Sequence, residues 1–262
     1  MPEKAKPSAE LDAALEAARR AAGISRSYFR SNFEVRTKAD RTPVTQADIE
    51  CEEAIRGHLL SAFPDYGFYG EETGRTTGDS ESLWLVDPID GTKGFVRGYP
   101  FFSTQIALMR GGELVLGVSC GTMFDEFARA ERGSGAWLND EPLAISDIDD
   151  PARATISTGN LRTLAAGEGW QRLGDIVHVA DRIRGYGDFY HYHLLAAGRI
   201  DAVIESDVNI LDIAALAVIV MEAGGRFTDL DGKPPGLETT SVLAANPGLH
   251  DKLLRQLRGV HG

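Results

Sequence analysis

The stretch Trp84-Leu-Val-Asp-Pro-Ile-Asp-Gly-Thr92 carries two aspartates three positions apart, with a glycine and a threonine directly after the second. Two carboxylates held close together repel each other, so a cation is the natural neutraliser for Asp87 and Asp90. Gly91 and Thr92 bring backbone N–H groups and a hydroxyl, which suit an anion. Acids for a metal beside amides for a phosphate point to metal-assisted phosphoryl chemistry. A lone pair of aspartates after a strand often does no more than form a turn. The full string is more specific, because each position in it has a separate task.

Other acids have two readings each. Glu71 and Glu72 follow Gly70. Alone they read as a solvated loop, and they gain meaning if neighbouring strands end on the same side and bring them beside Asp87. Thr45-Gln-Ala-Asp48 reads as a capping box, which accounts for Asp48 in full. The alternative is that Asp48 polarises a hydroxyl or a water. Asp212, just before a long apolar run, reads as a helix N-cap or as a metal ligand at a helix start. None of the six histidines, His58, His178, His191, His193, His250 and His261, has metal-ligand spacing. All six are expected to be structural or exposed, and His191 and His193, two apart, would not share a helix face. No nucleophile elbow and no Walker loop is present in the sequence, which speaks against a serine hydrolase and a P-loop kinase.

These side chains need elements to position them. Leu83 to Val86 reads as a buried strand that stops at Asp87, with Pro88 fixing the turn that follows. Leu11 to Phe29 reads as a helix with Leu11, Ala14, Leu15, Ala18 and Ala22 on one face and Ser8 as its cap. Phe33 to Lys38 is expected to be extended, and Asp40-Arg-Thr-Pro to be a turn. Thr45 opens a second helix through about Phe63, with Ile49, Ile55 and Leu59 facing inward. Tyr69 and Gly70 read as a strand end running into a polar loop. Phe102 to Arg110 and Glu113 to Ser119, joined through Gly111-Gly112, read as a hairpin, extended by Phe124 to Arg129 and Ala136 to Leu138. Pro151 begins a second half, with a helix over Tyr190 to Gly198, a strand over Ala202 to Glu205, and an apolar helix over Ile213 to Ala223. Gly224-Gly225 would end that helix with a left-handed cap. Residues 1–150 and 151–262 are thus expected to be two α/β halves.

The totals narrow the function. A chain of 262 residues with 43% hydrophobic residues suits one large domain or two intimate halves. No apolar run is long enough to cross a membrane, and the first residues lack the apolar core of a secretory signal. Two cysteines at no motif spacing argue for a reducing, cytoplasmic setting and against a thiolate zinc site. A net charge of −12 disfavours nucleic-acid backbone binding. The expected partner is a small-molecule phosphate ester, with neither nucleic acid nor membrane.

In combination, the motifs resemble the inositol monophosphatase family. They run in order from Lys38-Ala-Asp-x-Thr-Pro-Val-Thr-x-Ala-Asp48 through Gly70-Glu-Glu72 and Trp84 to Thr92, with Phe95 and Gly98, to Leu211-Asp212 before Gly224-Gly225. The family usually has Trp-Asp at the position of Leu211-Asp212, so a packing residue differs and the acid is kept. The resemblance implies a layered α-β-α-β-α sandwich, mixed α/β, commonly a homodimer, that hydrolyses phosphate monoesters with magnesium, two or three ions per site. It assigns Glu71, Asp87, Asp90, Asp212 and the backbone carbonyl of Ile89 to the metals, and Gly91 and Thr92 to the phosphate. Asp48 and Thr92, with Glu71, would orient the attacking water. An all-oxygen ligand set favours magnesium, and the reaction would be in-line attack without a covalent enzyme intermediate.

The second half bears on the substrate. Arg184-Gly-Tyr-Gly-Asp-Phe-Tyr-x-Tyr192, followed by Leu194 to Asp201 and Glu205, resembles the histidinol-phosphate phosphatase branch more than the inositol branch. Lys93 agrees with that branch and also with nucleotide phosphatases of sulfur assimilation. Asp188 reads equally as a substrate-facing acid or as a helix N-cap. Arg184, Asp188 and Glu205 are the expected substrate contacts, since histidinol phosphate carries an amine and an imidazole. Inositol 1-phosphate or a range of sugar phosphates is the alternative, adenosine 3′,5′-bisphosphate is a more distant one, and a non-catalytic cation-binding scaffold is the reading from another class.

Overall fold

The computed structural model describes residues 7–31, 35–37 and 43–259. The expected turn over residues 40–42, residues 38–42 of the Lys38 motif, residues 33, 34 and 38 of the expected extended stretch, and His261 lie outside the described residues. The chain opens with α1 (Ala9–Tyr28), the small hairpin β1 (Val35–Thr37) and β2 (Pro43–Thr45), and α2 (Gln46–Ala62). Next come β3 (Gly67–Gly70), β4 (Gly74–Thr76), β5 (Ser82–Asp90) and the short α3 (Thr92–Val96). The meander β6 (Ser103–Arg110), β7 (Glu113–Gly121), β8 (Glu126–Glu131), β9 (Ala136–Leu138) and β10 (Glu141–Pro142) completes the first half. The second half holds β11 (Thr155–Thr158), α4 (Arg162–Ala165), α5 (Gly169–Val179), β12 (Arg182–Arg184) and α6 (Asp188–Ala196). It ends with β13 (Ala202–Ser206), α7 (Ile210–Glu222), β14 (Arg226–Thr228), β15 (Ser241–Ala245) and α8 (Pro247–Leu257).

Side-chain alternation along the strands builds the layers. In β5, Trp84 and Val86 face α1 and α2, while Leu83 and Leu85 face α6 and α7. In β6, Ile106 and Leu108 take the first side, Ala107 and Met109 the second. The smaller sheet repeats the device: Val203 of β13 and Val242 and Ala244 of β15 face the central helices. Ala202, Ile204, Leu243 and Ala245 face the outer pair α5 and α8. The result is the expected α-β-α-β-α sandwich. Its eight-stranded sheet has the order β10-β9-β8-β7-β6-β5-β3-β4, and its five-stranded sheet the order β12-β11-β13-β15-β14. The central layer must bury both faces, which explains why α7 is apolar almost all round, from Ile210 to Val220. Leu211, where the family usually has tryptophan, is 4% exposed within that core.

Several local expectations hold. Ser8 caps α1 by accepting from Leu11 N at 3.1 Å. The Gly111-Gly112 turn has positive φ at both positions, as a tight hairpin requires. Gly224, at φ +95°, closes α7, and Gly225 N donates to Val220 O at 2.9 Å.

Other expectations need correction. β5 does not stop at Asp87: it runs to Asp90, with a bulge between Asp87 and Asp90. Asp87 Oδ1 accepts from Ile89 N at 3.0 Å, and Thr104 Oγ1 donates to Pro88 O at 2.9 Å, so the strand stays attached to β6 through the irregularity. Ile49 is only half-buried, whereas Ile55 and Leu59 are fully inside. α7 begins at Ile210, with Asn209 as its N-cap; Asp212 is the third helical residue of a capping box. Among the described residues, no helix is long and apolar enough to cross a membrane.

Candidate active site

The bulged end of β5 is the foundation of the site. A bulge re-aims side chains that strict alternation would send to opposite faces. Here Asp87 and Asp90, with Asp212 from the start of α7, offer carboxylate oxygens that all lie within 4.8 Å of one another. β3 runs parallel to β5 with Gly70 opposite Val86, so β3 ends beside the point where β5 enters its bulged tip. Glu71 N donates to Val86 O at 3.2 Å, and the Glu71 carboxyl contacts that of Asp87. Adjacent parallel strands therefore do bring Glu71 to Asp87.

Burial holds the carboxyls of Asp87 and Asp90 well above the usual carboxylate range. For Asp87, the charges of Glu71, Asp90 and Asp212 add to the effect. For Asp90, Asp188 and Asp212 do so, opposed by a hydrogen bond from Ser103. Burial likewise pushes Asp212 up to about 6. The protein therefore assembles several acids that cannot all ionise without a positive partner. A hard divalent cation fits this all-oxygen donor set.

Asp48 makes the capping bonds of α2 and also a contact to the Thr92 hydroxyl. Its Oδ2 accepts from Thr45 N at 2.7 Å and Thr45 Oγ1 at 2.6 Å, completing the capping box of α2. Its Oδ1 lies 3.2 Å from Thr92 Oγ1, which is also 3.0 Å from Ile89 O. Gly91 adopts φ +85°, and a Cβ there would meet Phe101 O at 2.8 Å, so only glycine fits this turn into α3. Gly91, Thr92, Lys93 and Arg97 line a cleft of ≈ 390 Å³ together with Glu71, Asp87, Asp90 and Asp212. Lys93 and Arg97 bring positive charge to an otherwise acidic cleft.

A second recess opens from the same acids. Asp90, Asn160, Asp188 and Asp212 are shared between the two cavities, and Tyr192 and Glu205 complete much of the second. Asp188 is not the N-cap: Gly187, which has no side chain to cap with, holds that place, and Asp188 is the first helical residue. Asp188 adopts φ +46°, a strained conformation for any side chain but one that aspartate tolerates. Asp188 is exposed at the recess mouth, yet the surrounding protein desolvates its carboxyl and raises it, opposed by His191 and aided by the Glu205 charge. Glu205 is held by a hydrogen bond from the Tyr192 hydroxyl, with His191 Nε2 3.4 Å from the same oxygen. Burial first, and then the Glu205 charge, push the Tyr192 phenol well up, so it stays a donor. Arg184 behaves differently. It is exposed, its guanidinium turns back to Ile183 O at 2.7 Å, and it does not line this recess.

Three residues that matter locally are absent from the sequence expectations. Asn209 accepts from Leu211 N and ties both Asp212 oxygens, through its backbone N at 3.0 Å and Nδ2 at 2.7 Å. An Asn three residues before an acid, ahead of an apolar run, was a legible capping signal. Glu52, fully buried, accepts from Glu72 N and Thr73 N at 2.8 Å each and packs over Gly70, where a Cβ would clash at 2.5 Å. Its place one turn after Asp48 on the inward face of α2 was the available signal. Tyr192 closes the Arg184 to Tyr192 string that carries the branch resemblance, but nothing in its spacing pairs it with Glu205.

Strand-end carboxylates roofed by helix starts, on a layered sandwich, are the architecture of a metal-dependent phosphoric monoester hydrolase. The chain belongs to the inositol monophosphatase family, whose model matches residues 7–261. A histidinol-phosphatase from Mycobacterium tuberculosis is 37% identical over 95% of this chain and 97% of its own. An inositol-1-monophosphatase from Rhizobium meliloti is also 37% identical, over 86% of each chain. An extragenic suppressor protein from Bartonella henselae, solved as a crystal structure, superposes with a TM-score of 0.88 at 34% identity, covering 96% of this chain and 99% of that one.

Proposed function

We propose that this hydrolase is a magnesium-dependent histidinol-phosphate phosphatase, releasing L-histidinol and phosphate. The observation that carries the substrate is the recess beyond the acid cluster. Asp188 and Glu205 line it, and no lysine or arginine does among the described residues. A leaving group with an ammonium and an imidazole suits such a wall, because charge-assisted hydrogen bonds to carboxylates are the strong ones. The relatives named histidinol-phosphatase support the same reading.

Glu71, Asp87, Asp90, Asp212 and the Ile89 carbonyl are the groups we assign to magnesium. When bound, the metal supplies positive charge to the phosphoryl oxygens and the leaving oxygen and lowers the pKa of the attacking water. The chain's own residues do the rest. Gly91 and Thr92, at the start of α3, hold the phosphate, with Lys93 and Arg97 drawing the anion into the cleft. Thr92 Oγ1, oriented by Asp48, directs the water. Asp188 and Glu205 fix the tail of the ester, so that the scissile bond is held in place rather than found by diffusion. We read residues 1–150 as the half that carries the phosphate chemistry and residues 151–262 as the half that carries specificity, with Asp212 crossing over.

The second reading is inositol 1-phosphate or a broader set of sugar phosphates, which the Rhizobium relative favours at the same identity. A phosphate-release screen with magnesium separates the two. The substrates are histidinol phosphate, inositol 1-phosphate, fructose 1,6-bisphosphate and adenosine 3′,5′-bisphosphate. The highest kcat/KM is expected on histidinol phosphate. A clear preference for inositol 1-phosphate would transfer the assignment, and turnover of none of the four would return the chain to the scaffold reading.

A further inference from the structure

A line of polar side chains runs from the acid cluster to the protein surface through the otherwise apolar layer between β6 and α6. Ser103 Oγ donates to Asp90 Oδ2 at 2.9 Å. Gln105 Nε2 lies 2.7 Å from Ser103 Oγ and 3.0 Å from Ser119 Oγ. Ser119 Oγ meets His193 Nε2 at 2.8 Å, and His193 Nδ1 meets Glu126 Oε2 at 2.8 Å. Ser103, Gln105, Ser119 and His193 are all buried, and only Glu126 reaches solvent. Strand register makes the line possible. Ser103 and Gln105 share the β6 face that looks toward α6, Gln105 is paired directly with Ser119, and Asp90 directly with Ser103.

The hydrogen bonds have one direction. An amide nitrogen can only donate, and Gln105 spends its two N–H groups on the two serine oxygens. Ser103 then turns its proton to Asp90, and with His193 in its neutral Nδ1–H tautomer, donating to Glu126, Ser119 turns its proton to His193 Nε2. Turning the Gln105 amide over would draw both serine protons to its oxygen. Either orientation leaves one Gln105 amide atom buried without a partner, Oε1 as it stands, so Asp90 decides: the turned amide would leave one of its carboxylate oxygens facing a hydroxyl lone pair. Phe189 packs edge-on against the His193 ring at 4.9 Å and helps hold it.

We propose that Ser103 and Gln105, backed by Ser119, His193 and Glu126, are positioning residues that fix the orientation of the Asp90 carboxylate and thereby tune the acid cluster toward magnesium over calcium. The inference rests on the reading of Asp90 as a cation ligand. Magnesium demands a near-ideal arrangement of oxygens, whereas calcium accepts more ligands at longer and more variable distances. A carboxylate that cannot rotate serves the stricter ion, and groups that orient metal ligands typically account for about 10–100-fold in affinity.

Metal-free wild type, Ser103→Ala, Gln105→Met, His193→Gln and His193→Phe are each titrated with magnesium and with calcium by isothermal calorimetry. Thermal unfolding of each without metal is recorded in parallel. Ser103→Ala and Gln105→Met are expected to bind magnesium about 10–100-fold more weakly, with a smaller loss for calcium, so that the affinity ratio falls. His193→Phe, which offers Ser119 no acceptor, should lower the ratio. His193→Gln, whose amide oxygen still accepts, should restore it. Ser103→Ala removes a single oxygen and keeps the test open should Gln105→Met fail to fold. A lower melting temperature with a wild-type magnesium-to-calcium ratio would show a packing role only and overturn the proposal. A wild type that binds neither ion would instead overturn the reading of Asp90 on which the proposal stands.

Discussion

The two acidic walls of the cleft share Asp90, Asp188 and Asp212 and are otherwise built on different principles. On the β5 side, burial raises Asp87, Asp90 and Asp212, and neighbouring carboxylates add to it: Glu71, Asp90 and Asp212 for Asp87, Asp188 and Asp212 for Asp90, and Glu71 and Glu205 for Asp212. On the α6 side, Glu205 is tied within the protein, to the Tyr192 hydroxyl and close to His191. The first wall is electrostatically incomplete and calls for charge from outside. The second is already satisfied on one oxygen and so offers a directional acceptor rather than a charge sink. Carboxylates of one residue type thus serve two purposes, set by what surrounds them.

Removing a charge from the incomplete wall should have the largest effect. Asp90→Asn keeps the shape and the Ser103 partner but cannot help neutralise a divalent cation. We expect a loss of activity of about a thousandfold or more, corresponding to several kcal/mol of transition-state stabilisation. The fold should survive, since one member of a self-repelling cluster is gone. Circular dichroism and phosphate release measured on the same sample decide the matter; turnover near that of wild type would remove Asp90 from the metal assignment.

The satisfied wall should respond less, and selectively. Glu205→Gln retains size and one acceptor but loses a charge-assisted bond worth roughly 1.5–3 kcal/mol. On histidinol phosphate, kcat/KM should fall about 10- to 100-fold. On β-glycerophosphate, which has no cationic tail, it should change little. Equal losses on the two esters would mean that Glu205 serves the first wall, and the contrast between the walls would collapse.

The contrast also has a signature in stability. Asp212 has its folded pKa raised from 3.8 to about 6. A raised carboxyl means the native state holds a proton that the unfolded chain releases. Its contribution is therefore fully present below 3.8 and is lost as pH rises through about 6. Metal-free wild type should lose melting temperature relative to Asp212→Asn as pH rises from 4 to 7. Saturating magnesium should stabilise wild type most above pH 6, by mass action on the ionised cluster. A wild-type-minus-variant difference that stays flat across this range would contradict the raised pKa.

The same division governs what the sequence discloses. The first wall is concentrated in Asp87 to Thr92, where spacing alone implies a cation and an anion side by side, and Glu71 needs only a parallel strand that ends beside Val86. The bulge at Pro88 and Ile89 was not legible, because an aspartate-proline pair reads equally as a turn; only pairing with β6 through Thr104 decides for a strand. The second wall gathers Asn160, Asp188, Tyr192 and Glu205 from β11, α6, β13 and their loops, which periodicity does not bring together. Helix α8 escaped for a different reason: Asn246-Pro247 is a plain start signal, with Asn246 Oδ1 accepting from Leu249 N at 3.0 Å. Helix α5 has no side-chain cap to announce it. The line from Asp90 to Glu126 depends on the register of β6 and β7 and on α6 lying above them, neither of which is written in any one segment.

Arg184 offers the finest test of the boundary between the walls. Sequence resemblance puts it among the substrate contacts, yet in this chain its guanidinium is exposed and returns to the carbonyl of its own neighbour. It faces neither Asp188 nor Glu205 within hydrogen-bonding reach. Truncating an exposed side chain with no structural task usually changes free energies by no more than about 0.5 kcal/mol. Arg184→Ala should therefore alter kcat/KM on histidinol phosphate by about twofold at most. The measurement should be made at several enzyme concentrations, with the oligomeric state followed by light scattering. A tenfold loss that appears only where the protein is oligomeric would mean that a second copy of the chain delivers Arg184 to the recess, and that the specificity wall is completed between subunits. A tenfold loss in the monomer would mean that the side chain swings inward when substrate binds, and the second wall would then be less fixed than the Tyr192–Glu205 bond implies.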